Sequence, residues 1–332
     1  MKSSLSKTTL LFLGLSFTTL LLFIIDLGVG SVYIPFGEVI RSLMEQGEET
    51  LNQQIIKDIR LNKAIVALLA GAALSVSGLQ MQTLFRNPLA GPYVLGISSG
   101  AGLGVALFIL GVPLLGLSAS YLSIGIAGAA WIGSAIILII IGILSQYIKD
   151  IMVILILGMM FSSGVSAIVQ ILQFLSHDES LKSYVIWTMG SLGEVSYSQL
   201  WILFIAVFVG LVLALLAVKP LNQLILGEEY AVSMGMNIKK TRGILFLSTS
   251  LLAGTVTAFC GPIGFIGLAM PHVTRMLFDK VDIRILLPAN ILTGANILIF
   301  CDIISKLWII PINAVTSLLG IPIIIFIILK NR

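Results

Sequence analysis

Ten apolar runs, each about long enough to cross a bilayer, take up most of this chain: 8–28, 64–84, 94–111, 119–143, 151–174, 198–218, 243–261, 263–276, 286–306 and 312–329. Inside a membrane the backbone has no water to bond with, so runs this long and apolar are expected to be helices. Only 10% of the residues are charged, 58% are hydrophobic, and the mean hydropathy is +1.10. A soluble globule of this size needs about a quarter of its residues charged. The expectation is therefore an all-α integral membrane protein, a single transmembrane domain over 1–332. The net charge of +4 comes from Lys and Arg in loops, a membrane pattern, and gives no reason to expect nucleic acid as a partner.

The seventh and eighth runs need a boundary. No charge lies between Arg242 and Arg275, and one helix over that stretch would extend roughly 51 Å, far beyond a hydrocarbon core of about 30 Å. Gly261-Pro262 and Gly264 offer the break. With ten spans and the N-terminus inside, the inner side holds Lys2, Lys7, Arg86, Lys149, Lys219, Lys239, Lys240, Arg242, Arg275, Lys280, Arg284, Lys330 and Arg332. The outer side holds Arg41, Lys57, Arg60, Lys63, Lys182 and Lys306. Thirteen basic residues against six favour both the split and cytoplasmic N- and C-termini. The first run follows Lys2 and Lys7, lacks an A-x-A site and is long enough to span, so it reads as an uncleaved first helix.

An internal repeat is visible at an offset of 183: Leu68-Leu69-Ala70-Gly71 recurs as Leu251-Leu252-Ala253-Gly254, Gly78 matches Gly261 and Pro88 matches Pro271. An offset of five spans sets spans 2–5 against spans 7–10 with inverted topology, a transporter pattern. Outside the spans, 29–63 reads as an outer amphipathic segment carrying Glu38, Arg41, Glu45, Glu48 and Glu49. Trp187, Tyr184 and Tyr197 in 175–198 read as interfacial anchors. The segment 219–242 is the longest polar stretch on the inner side, with Glu228 and Glu229 opening a short helix and Gly235 ending it. It fits either a solvated connection or a surface helix against which a soluble partner pushes.

No catalytic constellation is present. His177 and His272 lack companions at metal spacing. The stretch Gly235–Thr241 imitates a phosphate-binding loop with the wrong spacing, and Cys260 and Cys301 read as small packing residues. No metal or cofactor is expected on this chain. Ion-coupled carriers keep carboxylates at mid-membrane, where a charge costs about 2.5–3.5 kcal/mol on insertion scales. Here Asp26 lies near the outer end of the first span and Asp302 has Lys306 one turn later. An ion-coupled secondary transporter is thus the weaker transport reading, and energy is expected to arrive from a partner.

Four stretches carry a resemblance to a known family. RLNKAIVALLAGAALSVSGLQMQTLFRNPLAGPYVLGISSGAGLG (Arg60–Gly104), LGEEYAVSMGMNIKKTR (Leu226–Arg242), GPIGFIGLAMPHVTRML (Gly261–Leu277) and PINAVTSLLGIPIIIFIIL (Pro311–Leu329) resemble the FecCD-type permeases. These are the membrane subunits of ATP-binding-cassette importers for ferric siderophores, haem and cobalamin in the bacterial inner membrane. The resemblance implies ten helices and no enzyme activity of its own. It also implies a second permease subunit, as a homodimer or a paired paralogue, two cytoplasmic ATPase subunits that hold ATP and Mg, and a periplasmic or lipid-anchored binding protein.

Carried over residue by residue, the resemblance places Gly227, Glu228, Glu229, Ala231 and Gly235 in coupling helices that seat in the ATPase. It places Arg60, Lys63 and Lys306 where the family presents bases to acidic residues of the binding protein; membrane-flanking snorkelling is the plainer reading. For the pathway it points to Met159, Met160, Ser162, Ser163, Gln170 and Gln173, with the Asn87-Pro88 turn near the inner exit. Tight helix packing explains small residues there equally well. The chain departs from the family in having Asn62-Lys63 for the frequent Pro-Arg, and Ile310 for the frequent acid before Pro311.

Overall fold

The computed structural model describes residues 2–30, 34–44, 50–114, 125–148 and 150–330. Glu45, Glu48 and Glu49 of the outer segment, the first part of the fourth expected span, Lys149 and Arg332 lie outside the described residues. Among the described residues every regular element is a helix. Eight are long and apolar enough to cross a membrane: α1 (Lys2–Gly28, apolar from Lys7), α3 (Leu51–Leu84), α4 (Ile97–Leu114), α5 (Gly125–Tyr147), α6 (Ile151–Leu175), α8 (Tyr197–Leu216), α11 (Ile238–Cys260) and α13 (Ile283–Trp308). Two more helices, α12 (Ile266–Phe278) and α14 (Ile312–Lys330), stand at the eighth and tenth expected spans. Small helices α2 (Phe36–Met44), α7 (Asp178–Thr188), α9 (Val218–Ile225) and α10 (Glu228–Ser233) lie between them.

The bundle is built around α3, where every side chain from Ala70 to Leu84 is buried. A helix apolar on all faces belongs at the centre of its neighbours, and α3 packs most extensively on α13 and α12. Lipid gives no hydrophobic incentive for this, so close backbone approach and polar contacts hold the helices together. A Cβ on Gly78 would lie 1.6 Å from the Gly267 carbonyl oxygen, so only glycine fits where α3 meets α12. Polar side chains bridge α3 to α13 and to α11. Ser75 Oγ donates to Asn290 Oδ1 at 2.8 Å, Gln80 Nε2 donates to Ser248 Oγ at 2.9 Å, and Thr249 Oγ1 donates to Gln80 Oε1 at 3.0 Å.

The break between the seventh and eighth spans falls at Gly261–Phe265. Gly261 has φ +73°, and a Cβ there would lie 2.6 Å from the Trp187 carbonyl oxygen. Left-handed backbone and contact together demand glycine. Pro262 has no N–H with which to continue the helix. Gly78 and Gly261, matched by the repeat, thus do different work: one admits a neighbour, the other ends a helix.

Two ends of the bundle are defined by contacts. The C-terminal end of α1, the N-terminal part of α3 and the C-terminal end of α13 meet at Asp26, Lys63 and Lys306. At the other end, the close of α3 meets the close of α12 through Gln82 and Arg275, and α9 meets the start of α13 through Asn222 and Asp282. The two ends are called outer and inner after the orientation expected from the charge bias. In the outer segment, α2 buries Val39 beside Leu27 and Ile56, and Asn52 Nδ2 donates to Glu38 Oε2 at 2.9 Å.

Candidate functional site

The three bases expected to face a docking partner converge at the outer end, but they are not equivalent. Arg60 is buried, and its guanidinium donates to the carbonyls of Leu27 and Gly28 at 2.9 and 2.8 Å. These are among the last carbonyls of α1, which no helical N–H reaches, and a cation there also suits the helix dipole. Lys306 points inward as well. Its Nζ lies 2.8 Å from Asp26 Oδ2, 2.8 Å from Asp302 Oδ2 and 3.2 Å from the Asp26 carbonyl oxygen. The contact with the Asp26 carbonyl is a hydrogen bond, and the two carboxylate contacts are ion pairs.

Lys63 differs. It has one carboxylate partner, Asp302 Oδ1 at 3.0 Å, and its side chain is 21% exposed against 8% for Lys306. It lines a cavity of about 460 Å³ with Gly190, Ser191, Asp302, Ser305 and the 309–312 chain. Of the three bases, Lys63 is the part-exposed one, while Arg60 and Lys306 point into the protein. The expected Asp302–Lys306 pair is present, and Asp26 and Lys63 extend it into a four-residue network joining α1, α3 and α13. That extension was not legible in the sequence, because Asp26 and Lys306 stand 280 residues apart.

At the inner end, the polar segment folds as α9 and α10 and then enters α11. Gly227, at φ +117°, turns the chain into α10, and Gly235, at φ +82°, turns it out. Ala231 is fully buried under this corner, with Met236 N donating to its carbonyl at 3.0 Å. Glu228 and Glu229 part company. Glu228 Oε1 accepts from Arg242 Nη2 at 2.7 Å, and Arg242 Nη1 donates to the Ile148 carbonyl at 3.1 Å. Glu228 therefore braces α10 against α11 and the end of α5, while Glu229, Tyr230 and Val232 face outward.

A second joint ties this segment to the bundle. Asn222 Nδ2 donates to Asp282 Oδ1 at 2.8 Å, and Asn222 Oδ1 accepts from Ile283 N at 2.9 Å. Asp282 caps α13 by accepting from Arg284 N at 2.9 Å. That backbone N–H first, and the Asn222 amide second, hold its carboxyl below the ordinary carboxylate range. Asp before the apolar run of α13 is a readable cap signal; nothing in the sequence pairs it with Asn222.

The residues expected on the pathway fall into two groups. Met159, Met160 and Ser163 lie on the open flank of α6, and the Ser162 and Ser163 hydroxyls donate to carbonyls of their own helix, Gly158 at 2.9 Å and Met159 at 3.1 Å. Gln170 and Gln173 instead line a cavity of about 290 Å³ with Ser98, Tyr184 and Trp187. Trp187 and Tyr184 are thus wall residues as well as candidate anchors. The Asn87-Pro88 turn is held closed: Leu89 N donates to Asn87 Oδ1 at 2.9 Å, and His272 Nε2 lies 2.7 Å from the Pro88 carbonyl oxygen. Among the described residues no three His, Cys, Asp or Glu side chains group as metal ligands.

Comparison with known proteins follows this geometry along the whole chain. The FecCD transport family matches residues 18–330. The hemin transport system permease protein HmuU of Yersinia pestis is 36% identical over 332 residues, covering 96% of each chain. The vitamin B12 import system permease protein BtuC of Klebsiella pneumoniae is 36% identical, over 96% of this chain and 93% of the relative. A probable iron chelatin transport system permease protein of Helicobacter pylori is 33% identical over 84% and 83%. Among solved structures, a metal-chelate type ABC transporter in an inward-facing conformation superposes with a TM-score of 0.83 at 30% identity, over 97% of this chain and 99% of that one.

Proposed function

This chain belongs to the FecCD transport family, and from that premise we propose that it is the membrane subunit of an ATP-driven importer for an iron chelate, haem or cobalamin. The observation that carries the reading is similarity at near full length to relatives named for hemin, vitamin B12 and iron chelate transport. The chain is a multi-pass membrane protein with a transport role. Its motor is a separate ATPase, of which two copies bind the inner face. A second permease subunit, a copy of this chain, completes the pathway along the α6 flank, with Met159, Met160, Ser162, Ser163, Gln170 and Gln173 on its wall and Asn87-Pro88 at its inner end. An external binding protein delivers cargo at the outer end, in a bacterial cytoplasmic membrane with both termini inside.

The inner corner suits the coupling role. Gly227 and Gly235 set its turns, buried Ala231 and the Glu228–Arg242 pair make it rigid, and Glu229 offers the outward charge. A rigid element joined to the bundle passes on a push, where a loose loop absorbs it. The rival reading, an ion-coupled secondary transporter, draws on the two buried carboxylates. Against it, Asp26 and Asp302 lie toward the outer end and share Lys306 and Lys63, whereas a proton relay needs ionisable groups across the membrane depth.

Reconstitution tests the proposal. The tagged chain, purified with whatever ATPase accompanies it and placed in proteoliposomes, is expected to accumulate haem, a ferric siderophore or cobalamin only with ATP and a loaded binding protein. Accumulation against a gradient by vesicles holding this chain alone would sink it.

A further inference from the structure

One face of α12 grips the end of α3. Leu268, His272 and Arg275 stand at helical spacing i, i+4 and i+7, so they share that face. Gln82 Nε2 donates to the Leu268 carbonyl at 2.9 Å, and Arg275 Nη1 donates to Gln82 Oε1 at 3.1 Å. His272 reaches past them to the Asn87-Pro88 turn, its Nε2 2.7 Å from the Pro88 carbonyl oxygen. A carbonyl only accepts, so the proton of that bond is on Nε2. The other bonds of the turn are local: Asn87 N donates to the Gln82 carbonyl at 3.2 Å, Leu89 N to Asn87 Oδ1 at 2.9 Å and Ala90 N to the Asn87 carbonyl at 3.1 Å. The last turn of α3 is thus tied to α12 through both ends of the Gln82 amide. Among the described residues, His272 makes the one hydrogen bond that ties Pro88 or Leu89 to another element.

The two sides of that bond are not equally fixed. α12 follows Phe265, a bulky residue at φ +66°, and left-handed backbone at such a residue persists only where its neighbours enforce it. Here they do: a Cβ on Gly320 of α14 would run into the Phe265 side chain, and Gly264 N donates to Asn313 Oδ1 at 3.0 Å. α12 is therefore the anchored side. The turn follows Arg86, at φ +48° in a position where helix ends usually carry glycine, and Pro88 and Leu89 are exposed. It is the movable side.

We propose that His272 is the latch of the inner exit: its Nε2–H bond holds the Asn87-Pro88 turn against α12, and breaking that bond frees the turn while Gln82 keeps α3 in place. The inference rests on the reading of this chain as an importer subunit whose pathway ends at this turn. His272 touches no cargo and acts as a positioning residue, through the Pro88 carbonyl. A transport cycle needs an exit that shuts and reopens. One hydrogen bond is small enough to be exchanged in every cycle, and two elements joined by a packed seam are not.

The test uses the whole complex with its ATPase in proteoliposomes, and as probe whichever of haem, a ferric siderophore or cobalamin the wild-type complex accumulates. His272→Leu is expected to raise outflow of preloaded probe without nucleotide by roughly fivefold, the order of one net hydrogen bond, and to lower the probe accumulated per ATP hydrolysed by a similar factor. His272→Gln, whose amide can donate from near the Nε2 position, is expected to return both values toward wild type. A folded His272→Leu complex with wild-type outflow and wild-type accumulation per ATP overturns the inference. So does a His272→Gln complex as leaky as His272→Leu, which would assign the effect to packing of the ring. Hydrogen exchange on the wild-type complex decides the matter if His272→Leu does not fold. On adding ATP, the Leu89 and Ala90 amides are expected to exchange about fivefold faster while those of 268–275 stay as they were, and an unchanged turn overturns the latch. Failure of the wild-type complex to accumulate any of the three probes removes the underlying reading, a result distinct from the others.

Discussion

Asn222 and Asp282, 60 residues apart, hold each other across the inner face, with Asn222 Nδ2 donating to Asp282 Oδ1 at 2.8 Å. Because Asn222 also accepts from Ile283 N, the pair fastens α9 to the first turn of α13. That helix has 26 residues, roughly 39 Å at the usual rise, and carries Asp302 and Lys306 near its far end. One continuous helix, with Pro288 inside it, thus runs from the corner proposed to meet the ATPase to the end proposed to meet the binding protein.

Asn222→Ala removes both bonds of that joint. The expected cost is about 1–2 kcal/mol of stability, visible as a lower melting temperature in detergent. If α13 is the link, ATP hydrolysis by the complex is also expected to respond less to the binding protein. A variant as stable as wild type, with stimulation intact, would show that α9 and α13 are tied by something else.

The cap itself gives a pH prediction. Folding lowers the pKa of Asp282 below its ordinary 3.8, through the Arg284 N–H and then Asn222. A depressed carboxylate stabilises the folded chain fully above 3.8, and the contribution fades as pH falls through the lower folded value. Solvent screens this exposed site, so the slope is small. Wild type is expected to lose stability below pH 4 slightly faster than Asp282→Asn; parallel curves would remove the assignment.

Glu228 and Glu229 separate structure from docking. Glu228→Gln removes the 2.7 Å ion pair to Arg242, whose side chain is only 5% exposed, at an expected cost of about 1–3 kcal/mol. Glu229→Lys alters only an outward-facing group, so the melting temperature stays put while association with the ATPase weakens, most at low salt. A stability loss in Glu229→Lys matching that in Glu228→Gln would contradict this division.

Sequence reading located the spans because apolar runs and the Gly261-Pro262 break are local signals: length, hydropathy and a backbone demand sit in adjacent residues. It did not see which charges face inward. Arg60 looked like a surface base since its acceptors, the Leu27 and Gly28 carbonyls, lie 33 and 32 residues back and backbone oxygens have no sequence signature. Glu228 and Glu229 are adjacent and chemically alike, and only the turn set by Gly227 assigns one to Arg242 and the other to solvent. His272 showed no role until the fold brought the Pro88 carbonyl to it.

The outer network offers the sharpest energetic test, because its charges are buried and paired. Lys306→Met takes the ammonium from Asp26, leaving it the charge of Arg60, and leaves Asp302 with Lys63. Stranding a buried charge costs about 3–5 kcal/mol, so this single variant is expected to express poorly or melt much earlier. Asp26→Asn alone leaves Lys306 on Asp302 and should cost less. Combining Asp26→Asn with Lys306→Met removes one charge of each sign, and Lys63–Asp302 survives as an intact pair. The double variant is therefore expected to recover much of the loss seen in Lys306→Met, giving a coupling energy of at least about 1 kcal/mol in a double-mutant cycle. Thermal melts of the three variants and wild type in one detergent measure it. Strict additivity would mean that Asp26 and Lys306 do not depend on each other, and that α1 is held to α13 by packing rather than by charge.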